Sequence, residues 1–169
     1  LNIRQGTYFE QVTASVSGSS STPITIQAYL GEKVVIDSGK QEFRTIGNDD
    51  WELVNPSTGE WRSRNTYSGS NRIYAYLDGI PNYMNDRVAL VNYYIAAQFR
   101  ATTDQYVDSS TPFYVGPGIL REGGKFYIRL SKTSDMVAAE NRYGTVLNVD
   151  NADPRQYSII LSDASYTLR

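Results

Sequence analysis

The chain has 169 residues, a one-domain length at which folding removes roughly 70% of the unfolded surface from water, so a core can form without covalent staples. It contains neither His nor Cys, which excludes disulfides, a Ser-His-Asp triad, a Cys-His pair and the usual zinc sites. Sixteen basic against eighteen acidic residues leave a net charge of −2, and no run of like charge offers a footprint for nucleic acid or an anionic membrane surface.

Fourteen Tyr and thirteen Gly, with many Val, Ile and Thr and few helix-forming runs, point to an all-β fold. The opening is strand-like from Ile3 to Val12. Val12, Ala14 and Val16 then alternate with Thr13 and Ser15, as Ile24, Ile26 and Ala28 alternate with Thr25 and Gln27. The loop Ser17-Gly18-Ser19-Ser20-Ser21-Thr22-Pro23 is too irregular for a two-residue hairpin, and Leu30-Gly31-Glu32-Lys33 turns the chain into Val34-Val35-Ile36. Such spacing suits strands that bend and continue.

The rung pattern stops after Asp37, and a β-rich stretch of different grain follows. Its expected strands are Glu42 to Ile46, Trp51 to Val54, Glu60 to Ser63, Arg72 to Leu77, Arg87 to Leu90, Pro112 to Val115, Ile119 to Arg121 and Lys125 to Leu130. Asn55-Pro56-Ser57-Thr58-Gly59 and Arg121-Glu122-Gly123-Gly124-Lys125 read as hairpin turns. Val91, Tyr94, Ile95, Gln98 and Phe99 recur at helical spacing around Ala96 and Ala97, and Ser134 is placed to cap a second short turn over Asp135 to Glu140. The tail from Tyr157 to Arg169 reverts to strand character, as though the opening pattern resumed.

Gly6-Thr7-Tyr8-Phe9-Glu10-Gln11-Val12, Ser17-Gly18, Pro23-Ile24-Thr25-Ile26, Ala28-Tyr29 and Gly31-Glu32-Lys33-Val34-Val35-Ile36-Asp37 resemble the opening coils of secreted right-handed parallel β-helix proteins. That pectin lyase-like group includes polysaccharide lyases of the chondroitinase B and alginate lyase type. The resemblance covers about the first forty residues and implies an extracellular, bacterial-type, carbohydrate-active parent. It also implies three segments: a first coil over 1–38, an inserted β-rich subdomain over 39–154 carrying one short helix, and a return to the coil over 155–169. A solenoid rung leaves open edges and an apolar cross-section, so remaining coils or another chain are expected to cover it. A chain that starts and stops inside strand patterns is then expected to be part of something longer or completed by a partner.

Chemistry is mostly excluded. No phosphate-cradling or dinucleotide motif occurs, and Gly116-Pro117-Gly118 reads as a turn, so no cofactor is expected. Asn48-Asp49-Asp50 and Asp150-Asn151-Ala152-Asp153 offer hard oxygen ligands for calcium but lack the EF-hand spacing, and Asn/Asp turns account for both. The lyases' catalytic Lys and Arg lie on later coils, so no catalytic residue and no metal ligand is assigned here. No apolar run reaches membrane-spanning length.

Aromatics are the positive signal, because sugar rings offer apolar faces that stack on Trp and Tyr. Trp51 and the alternating Tyr74 and Tyr76 read as core or cross-strand packing. Trp61, turn-borne Tyr67 and Tyr83, and nearby Arg62 and Arg64 are the candidate contacts, with Arg72 a further cation for an acidic glycan. The expected role is a non-catalytic part of a secreted polysaccharide-binding protein, supporting a lyase or hydrolase site elsewhere. The alternative is a structural or adhesive module of an extracellular assembly or fibre.

Overall fold

A computed structural model describes residues 1–10, 12–79, 87–100, 117–130 and 153–162. The protein is all-β, its sheets small and of mixed direction, and the chain divides into two compact units, Leu1–Gly39 and Lys40–Arg169. The candidate strand Pro112 to Val115, the turn begun by Ser134, and Tyr83 lie outside the described residues.

The first unit has four short strands: β1 (Asn2–Ile3), β2 (Gly6–Phe9), β3 (Gln27–Ala28) and β4 (Val34–Asp37). β1 pairs with β3 and β2 with β4, both in parallel, with Asn2 beside Gln27 and Gly6 beside Val34. Parallel neighbours require a long crossover, and here each crossover contains a strand of the other pair, β2 lying between β1 and β3 in the chain and β3 between β2 and β4. Between the two pairs the chain holds itself with polar ties: Arg4 Nε donates to Glu32 Oε1 at 2.9 Å, and Gln27 Nε2 donates to Asn2 Oδ1 at 3.0 Å. The alternation from Val12 to Val16 forms no strand, and Ser19 and Thr22 close a turn on each other. Val16, Ile24, Ile26, Leu30 and Ile36 stay exposed.

The second unit places a five-stranded sheet, β5 (Trp51–Asn55), β6 (Glu60–Ser63), β11 (Lys125–Arg129), β10 (Gly118–Glu122) and β9 (Val91–Tyr93) in that order, with a three-stranded sheet of β12 (Ser158–Ser162), β7 (Tyr74–Asp78) and β8 (Arg87–Ala89). Alternation assigns the faces. Ala75, Leu77, Ile159 and Leu161 of the smaller sheet share one core with Trp51, Trp61, Ile119, Phe126 and Ile128 of the larger, and Phe43 stacks there 4.6 Å from Trp51. On the larger sheet's other face Tyr93, Leu120 and Phe99 form a second cluster.

Both marked turns make hairpins. Asn55 Oδ1 accepts from Ser57 N at 3.1 Å before Gly59, and Gly123-Gly124 is a two-residue loop with φ of +57° and +78°, a pairing open to glycine at little cost. Two expectations change. Glu42 to Ile46 is not a strand: a 3-10 turn over Gln41–Arg44 drives Phe43 into the core. Helical spacing from Val91 to Phe99 yields only one turn, α1 (Ala96–Phe99), because Val91–Tyr93 is claimed by parallel pairing with β10. Within the segment expected to rejoin the coil, β12 pairs antiparallel with β7 across Ser158–Ser162.

Candidate functional site

The expected cluster of Trp61, Arg62, Arg64 and Tyr67 is drawn into the protein's own contacts. Trp61 is 8% exposed, and its ring lies 4.7 Å beneath the Arg155 guanidinium. Asp153 holds that guanidinium through Nε at 3.0 Å and Nη2 at 2.7 Å while capping the turn with Arg155 N at 2.9 Å. The hydrogen bonds from Arg155 keep the Asp153 carboxyl below its ordinary pKa.

Arg62 donates twice to Glu52 Oε1, at 2.8 and 2.5 Å, and this pairing holds the Glu52 carboxyl below the usual range. Arg64 donates to the Asp49 carbonyl at 2.7 Å and to Asp49 Oδ1 at 3.3 Å. Tyr67 is half-buried between Phe43 and Phe126, and its hydroxyl donates to Glu42 Oε1 at 2.5 Å. Burial first, then this bond to a carboxylate, pushes the Tyr67 phenol well above its ordinary pKa.

Of the two acidic clusters, Asn48-Asp49-Asp50 forms a turn in which Asn48 Oδ1 accepts from Asp50 N at 3.0 Å. Burial, then the neighbouring Glu42 and Asp49, raises the Asp50 pKa. Residues 150–152 lie outside the described residues, and among those described no group of three His, Cys, Asp or Glu is gathered for a metal ion. Among them also, no helix is long and apolar enough to cross a membrane.

The aromatic surface lies elsewhere. Ile73, Ala75 and Leu77 point into the core, so the opposite phase of the strand sends Arg72, Tyr74 and Tyr76 outward, with Tyr74 48% and Tyr76 36% exposed. Among the described residues β8 pairs with Tyr76, Leu77 and Asp78 of β7, and then Leu90 turns inward, its N–H donating to the Ala75 carbonyl at 2.9 Å. The chain therefore leaves one sheet for the other at Leu90, beside the start of β7. A cleft of about 200 Å³ opens there, lined by Arg72, Tyr74, Tyr76, Ala89, Asn92 and Tyr94 among others, and Tyr94 is 63% exposed.

Three features give this cleft chemistry. Tyr74, Tyr76 and Tyr94 supply ring faces and phenolic rims in one place. Asn92 Oδ1 is enclosed and accepts no hydrogen bond among the described residues. Among the described residues Arg72 is the single charged residue of the lining. Sequence reading treated Tyr74 and Tyr76 as packing; the apolar phase Ile73, Ala75, Leu77 was the signal that they face outward. Comparison with known proteins finds no family model, curated protein or solved structure that matches the chain.

Proposed function

We propose that the protein is a non-catalytic polysaccharide-binding part of a secreted carbohydrate-active protein, and that the tyrosine cleft of the second unit is its binding site. The observation that carries this reading is the convergence of three exposed tyrosines on one cleft. Exposed aromatic rings contribute nothing to the core, and they stack well on the apolar faces of sugars while their hydroxyls meet the sugar rim. The cleft is small beside the roughly 300–1,000 Å³ of sites that engulf a small molecule, which suits one ring of a polymer lying across the surface.

Kinship with the right-handed parallel β-helix draws support from the first unit. Its two successive strands each lie parallel to a later strand, at offsets of 25 and 28 residues, the arrangement that one coil stacked on the next produces. In this reading a lyase or hydrolase site belongs to other coils, and the protein acts outside the cell.

Isothermal titration of the folded chain against an array of soluble oligosaccharides tests the function. Tyr76→Ala, or Tyr74→Ala, is expected to weaken binding by about ten-fold, the scale of one lost stacking contact, with an unchanged circular dichroism spectrum. Full affinity in both variants, or no glycan binding by the parent chain, would overturn the proposal.

A second reading, a module stacked into an extracellular assembly, draws on the exposed Val16, Ile24, Ile26, Leu30 and Ile36 of the first unit. Light scattering separates the two: growth of particle mass with concentration, without glycan, favours assembly.

A further inference from the structure

We infer that Asn92 is the residue by which the tyrosine cleft reads a sugar hydroxyl: its amide oxygen has no donor in the free protein and takes one from the ligand. This rests on the glycan-binding reading above and names a specificity-determining residue of that site. Strand registers across the larger sheet put Asn92 in one row with Ile119, Ile128 and Trp61, all three members of the core shared with the smaller sheet. Alternation agrees, since Tyr93 next to it belongs to the cluster on the opposite face. An apolar side chain would continue the row, and an amide stands there instead.

Comparable polar groups of the protein are matched. Oδ1 of Asn2, Asn48, Asn55 and Asn71 each accepts a hydrogen bond. Ser63, fully buried, donates to the Asn65 carbonyl at 2.9 Å and accepts from Phe126 N at 3.0 Å. Asn92 Oδ1 is enclosed and, among the described residues, accepts none. An orphaned acceptor destabilises the state that contains it, and a state that brings it a donor is favoured to the same degree. The cleft is where that donor enters, because Asn92 lines it beside Ala75 and Leu90 of the core and the exposed Tyr74, Tyr76 and Tyr94. Exposed side chains turn within nanoseconds, so a hydroxyl arriving among the rings reaches the enclosed oxygen as they part. A sugar stacked on tyrosine carries such hydroxyls at its rim, whereas a purely apolar ligand brings none. Stacking then attracts any sugar face, and Asn92 demands a hydroxyl at one position.

Titration calorimetry with the full chain decides it, using cellohexaose, chitohexaose and hexagalacturonate, each beside an O-methylated form that keeps the ring faces and removes the hydroxyl donors. Asn92→Leu, close to the amide in shape, should lower the affinity for whichever unmodified probe binds by about ten-fold, the scale of one hydrogen bond. Its Tm should hold or rise, because the orphaned oxygen is gone. The O-methylated form of that probe should bind the parent chain more weakly and lose nothing further in Asn92→Leu. If leucine disturbs the fold, Asn92→Ala, which adds no bulk, carries the same comparison. Unchanged affinity for the unmodified probe, or an equal loss for both forms, overturns the role of Asn92 and leaves the glycan-binding reading standing. Failure of all three unmodified probes to bind overturns both. Tyr76→Ala is expected to weaken unmodified and methylated forms alike, which separates stacking from the hydrogen bond.

Discussion

Replacing Gly118 with Ala asks whether β9 and β10 are as tightly apposed as their parallel pairing requires. Gly118 stands opposite Val91, and a Cβ there would fall 2.3 Å from Tyr93 Cε2, 2.8 Å from Tyr93 Cδ2 and 3.1 Å from the Val91 carbonyl oxygen. The ring cannot swing away freely, because Tyr93 is buried and its ring sits edge-on to Phe99 with centroids 5.9 Å apart. Forcing a methyl into a filled site costs about 1–3 kcal/mol, and removing a glycine from a strand returns about 0.5–1 kcal/mol. The expected net loss is about 1–2 kcal/mol, or roughly 2–8 °C in Tm for a chain of this length. Thermal melts followed by near-ultraviolet circular dichroism measure it. The decisive arm is the same substitution on a Tyr93→Val background, where the ring is gone and the alanine should be close to neutral. An equal loss on both backgrounds, giving no coupling between the two positions, refutes the steric account.

Two further predictions concern ionisation. Asp153→Asn should reduce stability by about 1 kcal/mol at neutral pH through the weakened cap and the release of Arg155 from Trp61. Because the folded pKa of Asp153 is depressed, its contribution is present above the ordinary carboxylate pKa and is lost as pH falls through the folded value. Urea melts from pH 7 to 2 should accordingly show a shallower acid loss in Asp153→Asn than in the parent, and parallel curves would count against the pairing. Tyr67 behaves in the opposite sense: its folded pKa is raised, so its contribution is full below the ordinary tyrosine pKa and is lost as pH climbs above it. Tyr67→Phe should flatten the decline of stability above about pH 10, and an unaltered alkaline limb would show that the buried phenol is not its source.

Local chemistry made much of the fold readable. The Asn55 to Gly59 and Gly123-Gly124 turns announce their hairpins because side-chain capping and positive φ are properties of those residues themselves. β5, β6, β10 and β11 follow from alternation beside such turns. The candidate contacts Arg62, Arg64, Trp61 and Tyr67 were recognisable as chemistry-bearing residues, yet their partners Glu52, Asp49, Arg155 and Glu42 were not readable as partners. Glu42 is 25 residues from Tyr67, and Arg155 reaches Trp61 across the fold.

The sequence by itself determined an all-β protein without His or Cys chemistry, with its hairpins in place and its apolar phase on β7 written as Ile73, Ala75, Leu77. Tertiary structure decided everything that depends on which strand lies next to which. The helical spacing of Val91 to Phe99 gave way because Gly118 to Leu120 offered backbone partners, while Val12 to Val16 stayed irregular despite its alternation. The cleft lies where β8 ends at Ala89 and the chain changes sheets at Leu90, beside Arg72, Tyr74 and Tyr76. Side-chain periodicity is a local property of a strand, whereas a vacant place beside it is set by distant residues that pair or fail to pair.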